Sequence, residues 1–175
     1  KDRVYVLQDR VRAATEGILR HNRLAPDEAA TSADVLIKND LRGVESHGVS
    51  NGLRRYVAEY GSNKLNPTPE FKVTRESKTT MTIDADRALG IHVGPWAMQH
   101  AIDKAKEFGM GAVAVTNSGH LAGCGYYAMM AAEQGMIGHC MTAGGSHQTV
   151  PTFGSKPVMG TNPIAWAAPA RDMPP

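Results

Sequence analysis

The chain has 175 residues and a mass of 18.8 kDa, with 42% hydrophobic and 21% charged residues. This composition is that of a globular chain and excludes a disordered, collagen-like or coiled-coil protein. A formal net charge of +2 favours neither nucleic acid nor a membrane surface as partner. The two cysteines are too few for a disulfide scaffold, and no apolar run approaches the roughly 20 residues that span a bilayer. We therefore expect a cytoplasmic protein.

The first part of the chain is predicted to be helical. Apolar residues recur at three- and four-residue steps over 6–19 and again over 26–43, which predicts two amphipathic helices. The second begins with proline and two acidic residues, a composition that favours a helix N-terminus. A third helix is predicted through 53–57. The segment 63–69 carries two prolines and two asparagines and is the predicted linker.

Strands and helices alternate after that linker. Short alternating or continuous apolar runs predict strands at 71–73, 80–84, 112–115, 136–141 and 164–168, with helices over 92–108 and 126–134. This order predicts an α/β fold. We expect a helical region over 1–66 and a mixed α/β region over 67–175. A doubly wound dinucleotide-binding fold would need more strands than this length contains.

The segment 40–48 contains an acid, a base, a hydroxyl and an imidazole within nine residues. They are Asp40, Arg42, Ser46 and His47. A histidine can transfer protons near neutral pH, and the glycines at 43 and 48 permit tight turns or close approach of a ligand. The alternative is a helix that ends at Gly43 and is followed by a surface histidine. Spacing alone does not decide between them.

A second polar cluster follows the strand predicted at 112–115. It contains Asn117, Ser118 and His120, at the end of a strand where α/β proteins commonly bind ligands. The glycines that follow could admit a phosphate to backbone amides, but their spacing is not G-x-G-x-x-G. The alternative is a strand-to-helix turn that uses glycine for its geometry.

A third group lies near the end of the chain. Gly144 opens an irregular stretch, and the segment Gly160-Thr161-Asn162-Pro163 is predicted to form a turn. Whether its hydroxyl and amide face a ligand is not decided by spacing. The histidines and cysteine at 139, 140 and 147 lack zinc-ligand spacing, so no metal site is predicted.

The segments 40–51, 117–120 and 160–165, in this order, resemble the type II malate/L-lactate dehydrogenase family. That family also includes ureidoglycolate dehydrogenase, sulfolactate dehydrogenase and 2,3-diketogulonate reductase. The resemblance covers nearly the whole chain. It implies a homodimeric oxidoreductase that transfers a hydride between NAD or NADP and a small 2-hydroxy or 2-oxo acid. It also implies a cofactor domain that is not a Rossmann fold, consistent with the missing glycine fingerprint.

The resemblance also implies roles for individual residues. The family's two histidines fall on His47 and His120, and we favour His47 as the acid/base. Asp40 and Arg42 match polar residues that precede the first histidine, and the carboxylate of Asp40 is a candidate to orient its ring. The positions that match the family's cofactor site are Ser46, His47, Asn117, Ser118, His120, Gly144, Thr161, Asn162 and Pro163.

Two features depart from the family. Some members place an arginine four residues after the first histidine to grip the substrate carboxylate, and Asn51 stands there. Arg54 and Arg55, one helical turn further, could replace it. Family chains are also about twice as long, so we expect the N-terminal half of such an enzyme. The alternatives are a truncated non-catalytic domain and a binding module for small carboxylates.

Overall fold

A computed structural model describes residues 5–144, 147–171 and 173. Three helices come first: α1 (Gln8–His21), α2 (Pro26–Leu41) and α3 (Val49–Gly61), with a short 3-10 helix at Glu45–His47 between α2 and α3. Local chemistry explains the start of α2. Pro26 occupies the first turn, and Glu28 accepts a 3.0 Å hydrogen bond from the Ala25 backbone amide.

The remaining elements form an α/β arrangement with two sheets. They are β1 (Lys72–Glu76), β2 (Thr80–Ala88), α4 (Gly90–Phe108), β3 (Ala112–Ser118), α5 (Gly125–Ala132), β4 (Gly138–Met141) and β5 (Ile164–Ala167). In the first sheet β2 pairs antiparallel with β1 and parallel with β3. The parallel pair needs a crossover connection, which α4 supplies. The second sheet is the antiparallel pair of β4 and β5.

The largest buried cluster joins the helical region to the α/β region. Leu36 and Tyr56 from the helical region pack in one cluster with Leu89 and Tyr127. The predicted linker over 63–69 is part of this packing, because Leu65 is buried in the cluster. A smaller cluster lies between the first sheet and α4, around Ile83 and Val93. The division of the chain at residue 66 stays a prediction.

The predicted α/β class and element order are confirmed, but the turn predicted at 160–163 is absent. The chain is extended there, and backbone bonds to Pro163 and Thr161 from Thr142 and Gly144 continue the β4–β5 pairing. The β4–β5 hydrogen bonding therefore continues through a segment whose composition predicted a turn. Residues 145 and 146 of the predicted irregular stretch lie outside the described residues. Within the described ranges, no helix is both long and apolar enough to cross a membrane.

Candidate active site

Two histidines from different parts of the chain face each other. The His47 and His120 rings are stacked, with centroids 5.6 Å apart and planes 23° apart. His47 ends the 3-10 helix between α2 and α3, and His120 follows β3. The fold thus brings together the first two polar clusters found in the sequence. The strand-to-helix turn and the ligand-binding interpretation of 117–120 are compatible, because His120 lies in that turn.

The His47 ring is oriented by its sequence neighbour. Ser46 Oγ lies 2.8 Å from His47 Nδ1, which leaves Nε2 as the nitrogen for a substrate. Asp40, the predicted orienting carboxylate, instead accepts a 2.9 Å hydrogen bond from the Val49 backbone amide through Oδ2. This bond satisfies an amide in the first turn of α3. Asp40 therefore fixes the backbone around His47, while Ser46 contacts the ring.

The His120 ring is held by a buried tyrosine. Tyr56 Oη lies 2.8 Å from His120 Nδ1, and the Ala122 backbone amide lies 3.4 Å from the same nitrogen. An amide N–H can only donate, so Nδ1 accepts and the proton of the neutral ring lies on Nε2. Burial, with the nearby charges of Arg55 and His47, lowers the pKa of His120 to about 4. At neutral pH this ring is an uncharged hydrogen-bond donor.

The arginine whose charge acts on His120 is Arg55. It lies on α3 directly before Tyr56, and its charge helps to lower the pKa of His120 after the larger effect of burial. Arg55 Nε donates to the buried Glu59 carboxylate at 3.1 Å. Asn51 donates to the Glu45 carbonyl at 2.9 Å, so its amide stabilises the 3-10 loop. Arg54 is exposed on α3, and Arg42 is exposed at the end of α2.

The predicted cofactor residues other than Ser46 and the two histidines fall into two groups. Asn117 donates from Nδ2 to Asp84 Oδ1 at 2.9 Å, and this bond, after the Asp86 backbone amide, lowers the pKa of Asp84. Ser118 is exposed at the end of β3, two residues before His120 in the sequence. The second group lies along the β4–β5 ladder, where the Gly144 amide donates to the Thr161 carbonyl at 2.8 Å. Asn162 and Pro163 are exposed beside it.

Sequence reasoning missed two residues that build this site. Tyr56 lies in the helix predicted through 53–57, and its hydroxyl contacts His120, 64 residues away in the chain. Asn39 lies under the His47 loop, where its amide donates to the His47 carbonyl at 3.3 Å. An amide on the buried face of α2 could have drawn attention to Asn39. In the part of the chain that the structure describes, no three metal-ligating side chains gather at one place.

The fold is that of a class of dehydrogenases with solved structures. The malate dehydrogenase from Pyrococcus horikoshii superimposes with a TM-score of 0.94 at 44% identity, over 98% of this chain and 49% of that one. The malate dehydrogenase from Entamoeba histolytica gives a TM-score of 0.92 at 34% identity, over 97% of this chain and 46% of that one.

Sequence comparison agrees with the structural one. The L-sulfolactate dehydrogenase of Methanocaldococcus jannaschii is 38% identical over 151 residues, which are 86% of this chain and 43% of that protein. The family described as malate/L-lactate dehydrogenase matches residues 6–175. The chain belongs to this family. It spans about half the length of the curated relatives it matches, and 47% of the P. horikoshii enzyme.

Proposed function

We propose that the protein to which this chain belongs is an oxidoreductase that interconverts small 2-hydroxy and 2-oxo acids with a nicotinamide cofactor. The observation that carries this proposal is the stacked pair of His47 and His120, with a buried tyrosine behind one ring and a serine beside the other. Oxidation of a 2-hydroxy acid removes a hydride from carbon and a proton from oxygen. When bound, the nicotinamide cofactor accepts or supplies that hydride.

The two histidines suit different parts of this chemistry. The low pKa of His120 keeps it neutral, and its Nε2–H can donate a hydrogen bond to the substrate oxygen without transferring the proton. His47 Nδ1 contacts a hydroxyl that can donate or accept, so the ring can take up and release a proton at Nε2. We therefore assign proton transfer to His47 and orientation of the oxygen to His120.

Arg55 is the residue we assign to the substrate carboxylate. Its Nε is engaged by Glu59, which steadies the guanidinium and leaves the terminal nitrogens for a second carboxylate. Its charge helps to lower the pKa of His120, so Arg55 lies on the side of α3 that is near this histidine. The sequence predicted substrate binding at Arg54 and Asn51, with Arg55 as a further candidate. Asn51 is engaged with Glu45, so Arg55 is the better supported candidate.

The exposed polar groups fit a nicotinamide cofactor in kind. Ser118, Thr161 and Asn162 offer hydroxyl and amide groups that can bind a carboxamide or a phosphate. Asn117 can contribute through its carbonyl oxygen, since its Nδ2 is engaged by Asp84. None of the four side chains carries a charge, so the choice between NAD and NADP is left to experiment. We further propose a homodimer, as the family resemblance implies, and a location in the cytoplasm.

The proposal is tested with a panel of 2-oxo acids, including oxaloacetate, pyruvate and sulfopyruvate, assayed with NADH and with NADPH. We expect turnover of at least one acid, measured as loss of the reduced cofactor. His47→Ala should lower turnover by about 10²- to 10⁴-fold, the usual contribution of an acid/base group. His21→Ala, which changes an exposed histidine at the end of α1, is the matched control and should leave turnover unchanged.

A fluorescence titration with NADH covers the case of a chain that does not turn over. Binding of NADH and of a 2-oxo acid without turnover would support the alternative of a carboxylate-binding module. Binding of neither ligand would refute the proposed function for this chain. Wild-type turnover in both His47→Ala and His120→Ala would refute the assigned roles.

A further inference from the structure

We propose that Asn39 is a positioning residue that holds the His47 loop and the His120 loop at the separation their chemistry needs. The proposal rests on the proposed function, because it gives the spacing of the two rings a purpose. The geometry itself is independent of that function. Asn39 lies near the end of α2 and is only 5% exposed. A buried amide in a helix is costly unless its polar atoms are used.

On one side, Asn39 is joined to the loop that carries His47. Its side-chain Nδ2 donates to the His47 carbonyl at 3.3 Å, and its backbone carbonyl accepts the Val44 amide at 2.8 Å. These bonds connect α2 to both ends of the 44–47 segment. The His47 backbone is therefore tied directly to the Asn39 amide.

On the other side, Asn39 packs against the loop that carries His120. A Cβ built at Gly123 would lie 2.5 Å from Asn39 Oδ1, so this loop passes the amide too closely for any side chain. The adjacent Ala122 amide lies 3.4 Å from His120 Nδ1. The position of the loop against Asn39 is thus transmitted to the His120 ring.

The far side of the His120 loop is blocked as well. A Cβ at Gly90, in the first turn of α4, would lie 2.5 Å from the His120 carbonyl oxygen. The loop is therefore confined between the start of α4 and Asn39. If the amide is removed, the loop can relax in only one direction, toward α2 and the His47 segment. We therefore expect the stacking of the two rings, and not the fold, to respond first.

The test is histidine NMR on this chain, with Asn39→Ala and Asn39→Asp compared with the native sequence. Asn39→Asp keeps the shape of the side chain but removes the donor to His47. We expect both variants to shift the ring resonances of His47 and His120 and to weaken the cross-relaxation between the rings. The titration midpoint of His120 should move by at least half a pH unit. This shift is judged in Asn39→Ala, because Asn39→Asp adds a carboxylate of its own. In Asn39→Ala the charged groups that act on His120, which are His47, Arg55 and Glu59, are unaltered.

Ser32→Ala is the matched control. Ser32 lies on the same helix, is fully buried, and its hydroxyl has no hydrogen-bond partner among the described residues. This variant should leave both histidines as in the native chain. A purely structural role for Asn39 would give a folded Asn39→Ala variant native ring resonances and a native His120 titration, and that result would overturn the proposal.

Gly123→Ala tests the same contact from the opposite loop if the Asn39 variants do not fold. It should shift the His120 ring, because the added methyl group would lie too close to Asn39 Oδ1 and the loop would have to move. Native His120 resonances in a folded Gly123→Ala variant would also overturn the proposal. None of these measurements needs a cofactor or substrate, so failure of the positioning role and failure of the proposed function give different results. In a preparation that turns over, Asn39→Asp should lower kcat more than it raises KM.

Discussion

Burial sets the charge state of His120. Taking the imidazole out of water disfavours its protonated form and lowers its pKa to about 4, and the positive charge of Arg55 adds to this effect. The hydroxyl of Tyr56 lies on Nδ1, and burial raises the pKa of that phenol as well. Both partners are therefore neutral around pH 7. Because neither Tyr56 nor His120 is charged, the half-buried ring of His120 is stable beside the ring of His47.

The shifted pKa predicts a pH dependence of stability. In the unfolded chain the imidazole titrates near 6.5, so below that pH the unfolded state binds a proton that the native state does not. The free energy of unfolding should therefore fall as the pH drops from about 6.5 toward 4. After allowance for the partial exposure of the ring, the loss from His120 is about 2 kcal/mol.

Urea unfolding near pH 7 and near pH 5 measures this loss. His92 has a pKa lowered mainly by burial and acts in the same direction, so the contribution of His120 must be isolated by difference. His120→Asn keeps an acceptor for Tyr56 and removes the titration. The variant should lose less stability than the native chain over this interval. An equal loss in both proteins would contradict the prediction.

At the scale of elements, the side chain of Asp40 joins α2 to α3. Asp40 belongs to the end of α2, yet its carboxylate binds the Val49 amide at the start of α3. Gly48 makes room for it, because a Cβ there would collide with Asp40 Oδ1. Gly43, with φ of 75°, ends α2 as the sequence predicted. The short turn that carries His47 is thus fixed at both ends.

A double-mutant cycle tests this junction. Asp40→Ala removes the cap and should cost about 1 kcal/mol of unfolding free energy. Gly48→Ala should cost a similar amount, because its methyl group forces the Asp40 carboxylate off the Val49 amide. The double variant should then cost about as much as either single one, since both act on the same bond. Additive losses, measured by urea unfolding, would show that the two residues act separately.

Local pattern explains which elements the sequence predicted correctly. Apolar periodicity and the helix-end signals at Pro26 and Gly43 are set by residues close together in the chain. The sequence therefore predicted the helices and strands to within a few residues. The sequence did not predict the pairing of 160–163 or the hydrogen bond of Asp40 to Val49, because each depends on a partner that is not adjacent in the chain. The same holds for Tyr56 and Asn39, whose contacts with the histidine loops exist only after folding.

At the scale of the whole molecule, a hydrogen bond from Tyr126 joins the Tyr56–His120 contact in connecting the helical region to the α/β region. The hydroxyl of Tyr126, on α5, donates to Asp34 Oδ2 on α2 at 2.8 Å. Asp34 also forms ion pairs with Arg12 and Lys38, at 3.0 and 3.1 Å. The tyrosine ring itself lies in the cluster that contains residues from both regions. The shared cluster predicts that the two regions unfold together, although the sequence divides them at residue 66.

Thermal unfolding followed by two probes tests this coupling. Both tryptophans, Trp96 and Trp166, lie after residue 66, whereas three of the five α-helices among the described residues lie before it. Fluorescence and far-UV circular dichroism should therefore give coincident transitions if the core is shared. Tyr126→Phe should lower the free energy of unfolding by about 1 kcal/mol, and Tyr5→Phe, at an exposed site, should not. Separated transitions would show two independent units, because a shared core cannot lose one region while the other stays folded.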